Sequence, residues 1–156
     1  MSNVLVMFQA DTEHTEQLAL AVGVGAVEAG ANIRLRRLAA PGAVELAHKG
    51  YGKLQAVDLL WANTVVIGLE SPTPKEEQLS GLLSLLGEIE PAQLQGKQAW
   101  TFKPDGPLPG RTEALTLVES ALRNSGIAVL LNDSLDYRSG EDEITRMKEV
   151  GRFLAK

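Results

Sequence analysis

The side chains able to do chemistry in this chain of 156 residues are few, and most of them fall in short connecting segments. There is no cysteine, which removes disulfides, thiolate catalysis and cysteine-ligated zinc or iron–sulfur sites. The two histidines, His14 and His48, are far apart and neither has a partner at metal-ligand spacing. A histidine-based triad would have to draw its hydroxyl and its carboxylate from unrelated loops, and no spacing establishes one. Asp11, Glu13 and Glu70 form an acidic set able to take a hard divalent cation through oxygen ligands. Lys103 and Arg111 are the obvious positive charges in the connecting segments; they suit a phosphate or carboxylate ligand, and equally suit solvated loop positions. The stretch "FQADTEHTEQLALAV", residues 8–22, is the odd one. It carries two acids and no glycine at the place where a parallel α/β protein normally holds a phosphate.

What positions these residues is an alternation of strand and helix signals, without repeats or low-complexity linkers. "NVLVMF" (3–8) is a continuous apolar run rich in branched residues, followed by a helix-period stretch from about Thr15 to Ala29 that stops at Gly30. "NIRLRRL" (32–38) alternates apolar and charged residues, as an edge or half-covered strand does. "PGA" (41–43) then punctuates before a second helical region ending near Leu60. "NTVVIG" (63–68) reads as a buried strand, and residues 73–89 as a helix that opens with a Thr73 to Glu76 capping-box spacing and Pro74 at its first position. "QAWTF" (98–102), a helix over 111–126, "IAVLL" (127–131) and a helix over 141–156 complete five strand and helix pairs. Such alternation predicts a three-layer α/β/α domain with a five-stranded parallel sheet, spanning residues 1–156 as one unit. Ligands of open parallel sheets bind at the carboxyl ends of the strands. The segments that matter are therefore 9–15, 69–75, 103–111 and 132–140. "GVGAVEAG" (23–30) superficially matches a glycine-rich dinucleotide fingerprint, but it lies inside the first helix, so close helix-to-sheet packing is the better explanation.

A net charge of −5 argues against nucleic acid or an anionic membrane as the main partner, although the 15 lysines and arginines leave room for local basic patches. No segment approaches the roughly 20 apolar residues of a membrane span, and the start "MSNVLVMFQ" has no basic region before its apolar run. A cytoplasmic protein is the expectation.

The order of these elements, with "FQADTEHTEQLA" after the first strand, "VVIGLESPT" after the third, "TFKPDGPLPGRTEAL" after the fourth and "RNSGIAVL" before the fifth, resembles a short flavodoxin-like protein. It is most similar to the WrbA-type NAD(P)H:quinone reductases. The resemblance covers nearly the whole chain and implies strand order 2-1-3-4-5, an FMN cofactor, electron transfer or quinone reduction, and a homo-oligomer. It places the flavin against Ala10, Asp11, Thr12, Glu13, His14 and Thr15 in the first loop, Ser71, Pro72 and Thr73 in the second, and Lys103, Gly110, Arg111 and Thr112 in the third. His14 and Glu16 match the end of the family's Ser-x-x-Gly-His-x-Glu loop. Ala10 stands where the first hydroxyl belongs and Glu13 where the glycine belongs; Glu76 and Glu77 stand where the second loop has Phe-Gly. A receiver-type phosphoacceptor domain shares the strand order, but the third strand ends "GLES" without an aspartate to phosphorylate. These departures support a second reading of another class. In it the same fold has lost its flavin and serves as an oligomeric or partner-binding module, with a divalent cation in the acidic cleft.

Overall fold

The computed structural model describes residues 2–9, 13–38, 52–68, 76–102, 113–130 and 143–155. Among the described residues six strands lie parallel in one sheet: β1 (Asn3–Gln9), β2 (Asn32–Leu38), β3 (Gly52–Lys53), β4 (Thr64–Gly68), β5 (Gln98–Phe102) and β6 (Ala128–Val129). Their order is β3-β2-β1-β4-β5-β6. With the two-residue edge strand β3 set aside, this is the 2-1-3-4-5 order expected for the five main strands. The helices are α1 (Glu13–Glu28), α2 (Ala56–Trp61), α3 (Glu76–Glu88), α4 (Pro91–Leu94), α5 (Glu113–Asn124) and α6 (Glu143–Leu154).

The central strands are continuous apolar runs because helices cover both of their faces, which removes the usual in/out alternation. Val4 to Phe8 and Val65 to Ile67 are wholly buried. Leu5, Met7, Val65, Ile67 and Ala99 pack on one face with Leu82 and Leu86 of α3, Leu94 of α4 and Val118 and Leu122 of α5. Val4, Val6, Phe8, Val66, Trp100 and Phe102 pack on the other with Leu18, Val22 and Ala26 of α1 and Met147, Val150 and Leu154 of α6. On that second face α1 and α6 cross at backbone distance. A methyl group at Gly25 would sit 1.9 Å from the Lys148 carbonyl oxygen, and one at Gly151 would sit 2.0 Å from that of Val22. The glycine-rich stretch of α1 thus divides its work. Gly23 faces the sheet at Ile33 and Leu35, as expected, whereas Gly25 admits a neighbouring helix.

The flank of the sheet is closed by an ionic knot. Asp58 of α2 is 1% exposed and accepts from Arg34 Nη1 at 3.1 Å, from Arg36 Nε at 2.9 Å and Nη2 at 3.1 Å, and from the Gln55 backbone N–H at 2.9 Å. Burial alone would raise its carboxyl pKa; the bonds from Arg36 and the Gln55 backbone, the Arg36 charge and the Arg34 bond outweigh that and hold it below the ordinary value. Arg34 also stacks over the Trp61 ring at 4.3 Å. At the opposite, amino edge, Lys97 Nζ donates to the Leu60 and Ala62 carbonyls at the end of α2. Its partial burial lowers its pKa.

Several boundaries differ from the sequence expectation. The helix after β1 begins at Glu13, two residues early, where acids in a first turn complement the helix dipole. Of the second helical region, residues 39–51 lie outside the described residues, and the described part holds the short β3 and a six-residue α2. Helix α4 had no counterpart in the expectation. The Thr73 to Glu76 capping box and residues 103–112 and 131–142 lie outside the described residues. No helix among the described residues is long and apolar enough to cross a membrane.

Candidate functional site at the carboxyl edge of the sheet

Strand register aligns one row of residues across the carboxyl edge: Arg37 of β2, Phe8 of β1, Gly68 of β4 and Phe102 of β5. Neighbouring strands stand about 4.8 Å apart, so the segments that follow β1, β4 and β5 start side by side. The row lies on the α1 and α6 face, since Phe8 and Phe102 belong to that core and Ile33 and Leu35, in phase with Arg37, pack against it. Gly68 is required there. A methyl on it would come within 2.6 Å of the Phe102 ring, which in turn stacks on Trp100 with centroids 5.6 Å apart. The aromatic pair is buried core and forms a floor beneath the edge. Only residues 10–12 separate β1 from α1, so the amino end of a 16-residue helix opens at the same edge.

The expected flavin residues Ala10, Asp11, Thr12, Ser71, Pro72, Thr73, Lys103, Gly110, Arg111 and Thr112 lie outside the described residues, as do Glu70 and His48. Glu13, His14 and Thr15 are the first three residues of α1, and their side chains also lie outside the description. The ends of β1, β4 and β5, which these segments follow or precede, are adjacent. Among the described residues no group of three histidine, aspartate or glutamate side chains is placed to hold a metal ion.

Two polar features of this edge were not singled out from sequence. On the α5 face, Thr101 Oγ1 donates to Glu119 Oε1 at 3.3 Å, both residues being buried, and Arg123 approaches the other carboxylate oxygen at 3.6 Å. On the α1 face, Arg37 is half-buried, and its Nε is closed off from solvent without a hydrogen-bond partner. The strand alternation of "NIRLRRL" is the signal that could have separated it from Arg34 and Arg36, which point to the opposite face and are both used by Asp58.

Comparison of the whole fold with solved structures gives near-complete overlaps at low identity. A flavodoxin of Streptococcus pneumonia TIGR4 superposes with a TM-score of 0.66 at 15% identity, covering 99% of this chain and 98% of that one. The fold is flavodoxin-like. The flavodoxin-like architecture is shared with a diflavin flavoprotein A3 from Nostoc sp. (TM-score 0.63, 20% identity, 99% and 91% covered). It is shared also with a flavodoxin, WrbA-like protein from Agrobacterium tumefaciens (0.60, 17%, 99% and 96%). No protein-family model and no curated protein matches the chain in sequence. At these identities the likeness establishes the fold.

Proposed function

We propose that the chain is a flavodoxin-type protein that binds FMN across the carboxyl edge of its sheet and uses it for electron transfer, with quinone reduction as the more specific WrbA-type possibility. The observation that carries this reading is the alignment of the ends of β1, β4 and β5 over one buried aromatic floor, in a chain that overlaps flavodoxins end to end. The described residues fit a phosphate-bearing ligand at one point in particular: Arg37 Nε is an orphaned donor in the row that borders the site. Thr12, Thr15 and the amino end of α1 would hold the phosphate, with Ser71, Thr73 and the 103–112 segment along the remainder of the ligand. When bound, FMN supplies the one- or two-electron chemistry. The chain's part is to exclude water with its Phe8, Gly68 and Phe102 floor and to set the local charge.

A Glu13 carboxylate facing the phosphate would act against that binding. A carboxylate about 4 Å from a phosphate is opposed by roughly 4 kcal/mol at an effective dielectric near 20. Titrating the purified protein into FMN and following flavin fluorescence tests the reading; saturable quenching at micromolar protein is expected, and its absence refutes it. Glu13→Gly is expected to tighten FMN binding, and unchanged or weaker affinity would show that Glu13 does not set it.

A second reading, a flavin-free module that assembles with itself or a partner in the cytoplasm, is favoured by one feature. Val24 and Val27 of α1 and Phe153 of α6 are about half exposed on the outer surface of the same helix layer. Failure of FMN to bind, together with a dimeric or larger mass in solution, would select it.

A further inference from the structure

We infer that Arg37 marks an oxyanion-binding position on the β2 side of the carboxyl edge, suited to a phosphate group. Three arginines lie within four residues of β2, and the structure treats them differently. Arg34 and Arg36 converge on the buried Asp58 carboxylate, whose oxygens are filled by them and by the Gln55 N–H. Arg37 emerges on the other face, where it cannot share that acid.

Its Nε–H is closed off and unpartnered, and the described residues give it no ion pair. A guanidinium stays charged at every physiological pH, so burial cannot be relieved by losing a proton. An enclosed donor on a permanent cation is a costly arrangement in a folded protein, and an anion is a group able to satisfy it. Arg37 is next to last in β2, beside Phe8 in the row that underlies the candidate site, and its register partner on the edge strand is Lys53. Arg37 as a whole is half-buried, and rotation about its flexible stem would present Nε–H and one Nη–H together. That fork matches two oxygens of a phosphate.

Free phosphate and the phosphate monoester of a flavin share this chemistry. Only the flavin arm below rests on the proposed function. Thermal unfolding is measured with increasing inorganic phosphate against sodium chloride at equal ionic strength. Wild-type protein is expected to gain stability saturably with phosphate and not with chloride. Arg37→Met is expected to lose that response, yet to be at least as stable as wild type without phosphate, because the orphaned donor is gone. A purely structural arginine would show the opposite, a variant weakened in every buffer. Arg37→Lys, which keeps the charge but not the fork, should fold and respond more weakly.

A phosphate effect no larger than that of chloride, or an equal response from Arg37→Met or Arg37→Lys, overturns the inference. The source follows from FMN and riboflavin binding in phosphate. Competition against FMN but not riboflavin assigns the position to the flavin phosphate, and additive binding assigns it to a free anion. If neither flavin binds, the proposed function fails while the phosphate titration still decides the role of Arg37.

Discussion

Changing Asp58 to asparagine keeps the shape of the side chain and removes the charge that organises the β2 flank. The carboxylate is 1% exposed and receives bonds from both Arg34 and Arg36, so its loss strands two guanidinium groups beside a neutral amide whose NH2 faces donors. Breaking a fully buried pair typically costs about 3–5 kcal/mol. Here the stranded side chains are 36% and 26% exposed, so water recovers part of that loss and about 2–3 kcal/mol is expected at neutral pH. For a chain of this size the change corresponds to a fall in Tm of roughly 4–12 °C. The pH dependence sharpens the test. Asp58 titrates lower in the folded state than its ordinary value of 3.8. Its stabilising contribution is therefore complete above the unfolded value and is lost as pH falls through the folded one. Denaturant midpoints of wild type and Asp58→Asn should differ at pH 7 and converge only as pH falls well below 3.8. Equal stability at pH 7, or a gap that persists undiminished in acid, would refute the ionic account of this flank.

Gly25→Ala should destabilise by about 3 kcal/mol, the upper end of the usual overpacking range, because the obstructing atom at 1.9 Å is backbone. Chemical denaturation of Gly25→Ala, Gly151→Ala and the double variant should show a sum smaller than the two parts, since both changes widen one helix crossing. Gly68→Ala should cost about 1–3 kcal/mol by displacing the Phe102 ring, and should also weaken FMN binding if the row is the floor of the site. A stability loss with unchanged flavin affinity would remove the floor from the proposal.

The main strands and helices were legible because their patterns are local. "NVLVMF" and "NTVVIG" show no alternation, which signals burial on both faces, and β1 and β4 are found in the middle of the sheet. Gly30, with φ of +93°, ends α1 where the sequence placed the stop. The two-residue β3 was not legible. Gly52 and Lys53 are strand only because Arg36 and Arg37 lie beside them, and nothing in their own types records that pairing. Gly25 was read as packing on the sheet for a similar reason: glycine spacing shows that something comes close and does not say what.

The candidate site divides along the same line. Sequence alone determined that an apolar strand runs to Phe8 and that a helix follows it; the alternation of β2 also holds the split between Arg34 and Arg36 on one face and Arg37 on the other, although it reads there only as the mark of an edge or half-covered strand. Those are consequences of side-chain period and of the few residue types that suit a helix end. Tertiary structure alone decided that Asp58 would be carried to Arg34 and Arg36, while Arg37 Nε is left without an acceptor among the described residues. It also decided that Arg37, Phe8, Gly68 and Phe102 would share one row. Strand neighbours and register arise from pairings across tens of residues, and a periodicity of two specifies which face a side chain takes without specifying what it will meet there.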